Sequence, residues 1–110
     1  MIDSICIIVK RPMGQEASIL GTRTSYATLM SALETRLLFI DDGVFNLLET
    51  TGYNTAMLKE IIKQEGIIFC LSNSLNSRGL SGEDIIEGVK IVHEEDVPGI
   101  IEECQSLAFF

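Results

Sequence analysis

Three short apolar runs without alternation limit what this chain can become. Ser4 to Lys10 reads Ser-Ile-Cys-Ile-Ile-Val-Lys, Arg36 to Ile40 reads Arg-Leu-Leu-Phe-Ile, and Ile67 to Cys70 reads Ile-Ile-Phe-Cys. A strand with one wet face alternates apolar and polar residues, whereas a strand covered on both faces does not. Runs of this kind separated by helical stretches are the pattern of a parallel sheet packed between helices.

The intervening residues fit that pattern. Arg11-Pro12-Met13-Gly14 breaks the chain, and Ile19, Tyr26, Leu29, Met30 and Leu33 then form a helical stripe within a segment from about Gln15 to Glu34. After Asp41-Asp42-Gly43, one or two helical turns are expected over Val44 to Glu49. Asn54 is positioned to cap a helix that turns Leu58, Ile61 and Ile62 inward, with Gly66 as its stop. Gly79 closes a short helical stretch after Cys70, and Ser81 with Asp84 has the spacing of a capping box for a helix through Ile85 and Ile86. A fourth strand is expected at Val89 to His93. A helix then starts at Asp96 with Pro98 just inside, turns Ile100 and Ile101 inward, and leads to a fifth strand at Leu107 to Phe110. The expectation is an α/β fold, a single domain over residues 1–110 in three α/β/α layers. Its five-stranded, mainly parallel sheet carries the first strand centrally.

Composition excludes some functions. With 16 acidic against 8 basic residues the net charge is −8, and nucleic acid is not expected as a direct partner because its phosphates need a basic face. Met1-Ile2-Asp3-Ser4 carries no basic n-region, so neither a secretory signal nor a membrane span is expected. Cys6, Cys70 and Cys104 are odd in number and contain no C-x-x-C pair, which points to reduced thiols in the cytoplasm. His93 is the lone histidine and the glycine signatures of nucleotide sites are missing, so neither a metal nor an organic cofactor is expected.

Cys70 is the leading candidate for chemistry. It ends an apolar run and precedes the polar Ser72-Asn73-Ser74, and ligand sites in such sheets lie at the carboxyl ends of the strands. Ser72 or Asn73 as an N-cap would aim free backbone N–H groups near the sulfur, so the thiol is expected to ionise more readily than a free one. Lys10 and Arg11 follow the first strand at the same sheet edge and are candidates to stabilise a thiolate or receive an anionic partner. Asp41 and Asp42 also lie there, but the positions where a phosphoryl-accepting receiver domain would carry further acid hold Lys10 and Cys70. Cys6, mid-strand among isoleucines, reads as core. Cys104 follows Glu102 and Glu103 at a helix end, which should raise its pKa and also suits a structural role.

The order of these pieces resembles the DsrE/DsrF-like sulfur-relay family, which includes the TusBCD and DsrEFH-type subunits. The resemblance rests on the first strand with Arg11-Pro12-Met13-Gly14, on Phe39-Ile40-Asp41-Asp42-Gly43-Val44-Phe45, on Cys70 to Leu80, and on Glu94-Glu95-Asp96-Val97 through Phe110. Asp-Gly-Val-Phe and Ser-Leu-x-x-Arg-Gly-Leu are most similar to the DsrF/TusC branch, whose members generally lack a working cysteine, while Cys70 falls where DsrE and TusD carry theirs. The resemblance implies that Cys70 accepts sulfane sulfur as a persulfide and passes it to an acceptor thiol, with donor and acceptor proteins as partners and no cofactor. It equally implies the alternative of a non-catalytic structural or interaction subunit. Homo- or hetero-oligomers, trimers or hexamers, are implied as well, and the apolar Leu107-Ala108-Phe109-Phe110 segment is compatible with an interface.

Overall fold

A computed structural model describes residues 3–110. Met1 and Ile2, the start of the segment read as lacking a basic n-region, lie outside the described residues. The three apolar runs are strands: β1 (Ser4–Val9), β2 (Glu34–Phe39) and β3 (Ile67–Leu71), joined by β4 (Lys90–Val92) and β5 (Ser106–Phe109). All pairings are parallel and the order is β4-β3-β2-β1-β5, so β2 lies in the middle and β1 lies between β2 and β5. The all-parallel arrangement follows from burial on both faces. Cys6, Ile7, Ile8 and Val9 are at most 3% exposed, as are Leu37, Leu38 and Phe39.

Alternation within each strand divides the core in two. One face gathers Ile7, Val9, Leu37, Phe39, Ile68 and Cys70 against the helices α1 (Glu16–Met30) and α2 (Tyr53–Lys63), and Leu75 of the short helix α3 (Ser72–Asn76) joins the same cluster. The opposite face carries Cys6, Ile8, Leu38 and Phe69 and is covered by α4 (Val97–Glu102) through Ile100, with Val97 and Ile101 partly buried. The second outer layer is therefore thin.

Several local expectations are corrected. α1 ends at Met30, and Ala32 with φ of 66° turns the chain so that β2 starts at Glu34, in register with Ser4. Its buried residues are Ser18, Gly21, Thr22 and Ser25, with Tyr26 and Leu29 partly buried, while Met30 of the expected stripe is 49% exposed. Small residues let the helix axis lie close to the sheet. A Cβ on Gly21 would stand 3.2 Å from both Phe110 and Val9.

Asn54 does not cap α2, which begins two residues earlier than such a cap implies, at Tyr53 with Gly52 as its cap; φ of 141° at Gly52 is open to glycine. The segment Asp41–Leu47 is a 3-10 stretch that includes Asp41-Asp42-Gly43. Ser81 and Asp84 do form a capping box, but the turn stops at Asp84, and Ile85 bridges Leu48 in an extended conformation. The fourth and fifth strands are shorter or shifted by a residue relative to their expected spans. Asp96 and Pro98 start α4 as expected.

The tightest approach between elements is at Gly43. Its N–H donates to the Ile40 carbonyl at 2.8 Å, and a Cβ there would stand 2.0 Å from the Val9 carbonyl oxygen. Backbone holds both sides, so no rotamer relieves the clash. Gly43→Ala is expected to cost about 3 kcal/mol or more, read as a lower urea midpoint at unchanged slope. A variant unfolding with the wild type would show that this contact is not a constraint.

Candidate functional site

Parallel strands end at a common edge, and the structure brings the loops after β1, β2 and β3 together there. Lys10, Arg11, Pro12 and Gln15 line a cleft of about 480 Å³ with Asp41, Asp42, Phe109 and Phe110. Backbone bonds organise it: Lys10 N–H donates to the Phe110 carbonyl and Ile40 N–H to the Val9 carbonyl, at 2.8 and 3.1 Å. Asn46, fully buried, donates from Nδ2 to the carbonyls of Arg11 and Gly43, both at 2.9 Å, and accepts from Asn54 Nδ2 at 3.2 Å. A polar residue inside the apolar Val44 to Leu48 stretch was the signal for this role.

Cys70 reaches the edge but its thiol does not. The side chain is 0% exposed and lies in the apolar cluster with Ile68, Phe39 and Leu75, and its Sγ makes only a long 3.9 Å approach to the Leu71 carbonyl. Burial pushes the thiol up to about 12. This overturns the expectation of easier ionisation, for two physical reasons. Leu71, in extended conformation, is the residue before the first turn of α3, so Ser72 and Asn73 are helical residues and neither caps it. Desolvation by burial sets the direction of the shift.

The other site residues are not gathered on the sulfur. Lys10 and Arg11 follow β1, and β2 stands between that strand and β3. Asn73 Nδ2 instead donates to Glu94 Oε1 at 3.1 Å. The residues that tie down the helix after Cys70 are Ser74 and Arg78, the serine and arginine of the Ser-Leu-x-x-Arg-Gly-Leu piece, to which the sequence assigned no site role. Asp41 N–H donates to Ser74 Oγ at 2.9 Å, and Arg78 donates from Nε to Asp42 Oδ1 at 3.0 Å and from a terminal guanidinium nitrogen to the Ser74 carbonyl at 3.1 Å. Asp41 takes φ of 50°, a left-handed conformation that Asp tolerates better than most residues. The motif that contains them marked the family but not the loop they bind, because Asp41 and Asp42 lie 33 or more residues away in the chain.

Among the described residues, no group of three or more His, Cys, Asp or Glu side chains is placed to hold a metal, and no helix is long and apolar enough to cross a membrane. Cys6 is buried and Cys104 partly buried on the α4 face, away from Cys70.

A single parallel α/β domain with a closed thiol at its carboxyl edge is the class these features define. The pattern of the DsrE/DsrF-like family matches residues 3–109, and the chain belongs to that family. It is 30% identical to the uncharacterized protein MK0008 of Methanopyrus kandleri, covering 99% of this chain and 95% of that one. It is 26% identical to the uncharacterized protein MJ0989 of Methanocaldococcus jannaschii, over 94% and 96% of the two chains. The fold is that of the ychN protein from E. coli, with a TM-score of 0.85 at 23% identity over the whole of both chains. It is also that of MTH1491 from Methanobacterium thermoautotrophicum, a protein of unknown function, with a TM-score of 0.76 at 22% identity over 96% and 97%.

The raised thiols make stability pH-dependent. Cys6 and Cys70 are both pushed from the ordinary 9.0 to about 12. Their neutral forms are favoured in the folded state, so this stabilisation is complete below pH 9.0 and is lost as pH rises toward about 12. Urea midpoints taken in steps through that window should fall, and Cys70→Ala should fall less steeply. Equal slopes in the two proteins would contradict the burial of this thiol.

Proposed function

We propose that this chain is a sulfur-relay subunit whose sulfur-accepting thiol is Cys70, held shut in the resting fold and opened by displacement of residues 71–80. One observation carries the reading: of the three cysteines, Cys70 alone stands near the carboxyl end of a sheet strand, two residues before the start of a short helix. Membership of the family supplies the chemistry.

In the opened state the Cys70 thiolate attacks the outer sulfur of a donor persulfide. The donor's sulfur–sulfur bond breaks, its thiolate leaves, and Cys70 carries the sulfane sulfur as Cys70–S–SH. Attack by an acceptor thiolate on that outer sulfur then releases the Cys70 thiolate. The ties to be released are local: Asn73 to Glu94, Asp41 to Ser74 and Arg78 to Asp42. The Asn73–Glu94 and Arg78–Asp42 ties are exposed and contribute little each, which leaves the part-buried Asp41–Ser74 bond as the main local tie for a docked donor or acceptor to displace. Both partners belong in a reducing compartment such as the cytoplasm, where the donor thiolate survives.

A second reading has an observation of its own. Cys70 is sealed in apolar core, while Phe109 is 65% exposed beside a groove of about 360 Å³ lined by Ile8, Leu38, Ile40, Val97 and Ile101. Those features suit a non-catalytic subunit that shapes an assembly, with Cys70 as packing.

Incubation with a sulfane-sulfur donor followed by intact mass separates the readings. One added sulfur on the wild type, absent from Cys70→Ser, supports the carrier; an adduct that persists in Cys70→Ser sinks it. Arg78→Ala, which frees the Asp42 and Ser74 ties, should speed labelling of native Cys70 by iodoacetamide at neutral pH. Labelling that requires unfolding in both proteins favours the structural subunit.

A further inference from the structure

We infer that Cys6 and Cys104 are a redox pair, which a peroxide joins as an intramolecular disulfide between the middle of β1 and the turn leading into β5. Nothing in the relay reading uses these two thiols, and Cys70 lies on the other face of the sheet, in a separate cluster. The pair is therefore independent of the sulfur carrier.

Packing puts both cysteines in one cluster. Cys6 is fully buried in the cluster beneath α4, and Cys104, partly buried just after that helix, packs against the same cluster. The segment holding Cys104 is tied down beside β1. Gln105 N–H donates to Ser4 Oγ at 3.0 Å, Gln105 Oε1 accepts from the Asp3 N–H at 2.8 Å, and Leu107 is in register with Cys6. The two thiols are close enough that a charge on Cys104 disfavours ionisation of Cys6.

A cation completes the cluster. Arg36 is the register neighbour of Cys6 on β2, and its guanidinium is bound by Glu34 at 3.0 Å and Glu103 at 2.5 Å. Its charge favours the thiolate at both sulfurs, against burial, which raises both. Its Nε–H is buried without an acceptor, which leaves a free donor on the strand beside Cys6. An unsatisfied buried donor costs free energy unless a ligand or altered side chain meets it.

The partly exposed thiol meets the oxidant first. Cys104 loses its proton to solvent, and the thiolate attacks one oxygen of hydrogen peroxide. The O–O bond breaks, hydroxide leaves and takes up a proton as water, and Cys104 becomes a sulfenic acid. Cys6 then attacks the Cys104 sulfur, the S–O bond breaks, and the hydroxyl group leaves as water with the Cys6 proton. Two thiols and one peroxide yield one disulfide and two waters; the sulfurs are oxidised and the peroxide is reduced. The new bond closes most of the chain into a loop and holds β5 on β1, so the oxidised fold should be the more stable one.

The test uses the full chain, reduced, then exposed to hydrogen peroxide, unfolded, and alkylated with iodoacetamide. The expected product has lost two hydrogens, carries a single alkyl group on Cys70, gives one linked tryptic pair containing Cys6 and Cys104, and unfolds at a higher temperature. Dithiothreitol should restore three alkylatable thiols and the original melting temperature. Three free thiols after peroxide, a link that includes Cys70, or Cys104 carried on to sulfinic acid with Cys6 still free would each overturn the inference. Cys70→Ala should form the same link, which keeps this result separate from any failure of the sulfur-carrier reading. Cys104→Ser should leave Cys6 reduced, and oxidation of Cys6 at the wild-type rate in that variant would also overturn the pairing.

Discussion

Burial of β1, β2 and β3 on both faces is the constraint on which the rest of the molecule depends. Strands that offer no wet face must be covered above and below, which selects parallel pairing with helical crossovers. Parallel pairing in turn gathers the strand ends at one edge. Lys10, Asp41 and Leu71 thus come to neighbouring places, although they are far apart in the chain. The edge is drawn tight by backbone contacts more than by side chains: Gly43 sits against the Val9 carbonyl, and Phe110 exchanges hydrogen bonds with Ile8 and Lys10. A cleft walled by Phe109 and Phe110 is the consequence.

The same constraint explains what was legible in the sequence. Unalternating runs announce doubly covered strands, so the three inner strands, the fold class and the capping residues Ser81, Asp84, Asp96 and Pro98 could be read directly. Strand order could not, because apolar runs do not encode their neighbours. Nor could the direction of the Cys70 thiol be read. In a run apolar on both sides, residue 70 can face either layer, and only the packing of Leu75 and Phe39 shows which. The buried face of α1 escaped for a related reason: Ser18, Gly21, Thr22 and Ser25 are selected for size, which a hydrophobic stripe does not register. The ties at Ser74 and Arg78 depend on a loop 33 or more residues away, beyond any local pattern.

On the proposed readings, placement on one sheet separates the surroundings of the three thiols. Cys70 and Cys6 are equally buried and equally reluctant to ionise, yet their surroundings differ in kind. Cys70 lies in an apolar cluster and makes only a long approach to a carbonyl, so on the relay reading its reactivity comes from movement. Removal of the α3 cover would restore water, and with water the cost of the thiolate falls. Cys6 has a second sulfur and a guanidinium at hand, so its reactivity can come from a partner already in place.

These two routes respond differently to binding. A protein that docks at the carboxyl edge would act on Cys70 through the Asn73, Ser74 and Arg78 ties, while the Cys6 cluster lies mid-strand on the other face, beneath α4. Sulfur exchange and peroxide chemistry both require thiolate, and a thiol available to both would be consumed by the faster reaction. With the two proposed sites on opposite faces of the sheet, that competition would not arise. The thickness of one covered β-layer is enough, because neither sulfur can reach past the interior side chains of its neighbours without unfolding the strands that carry them.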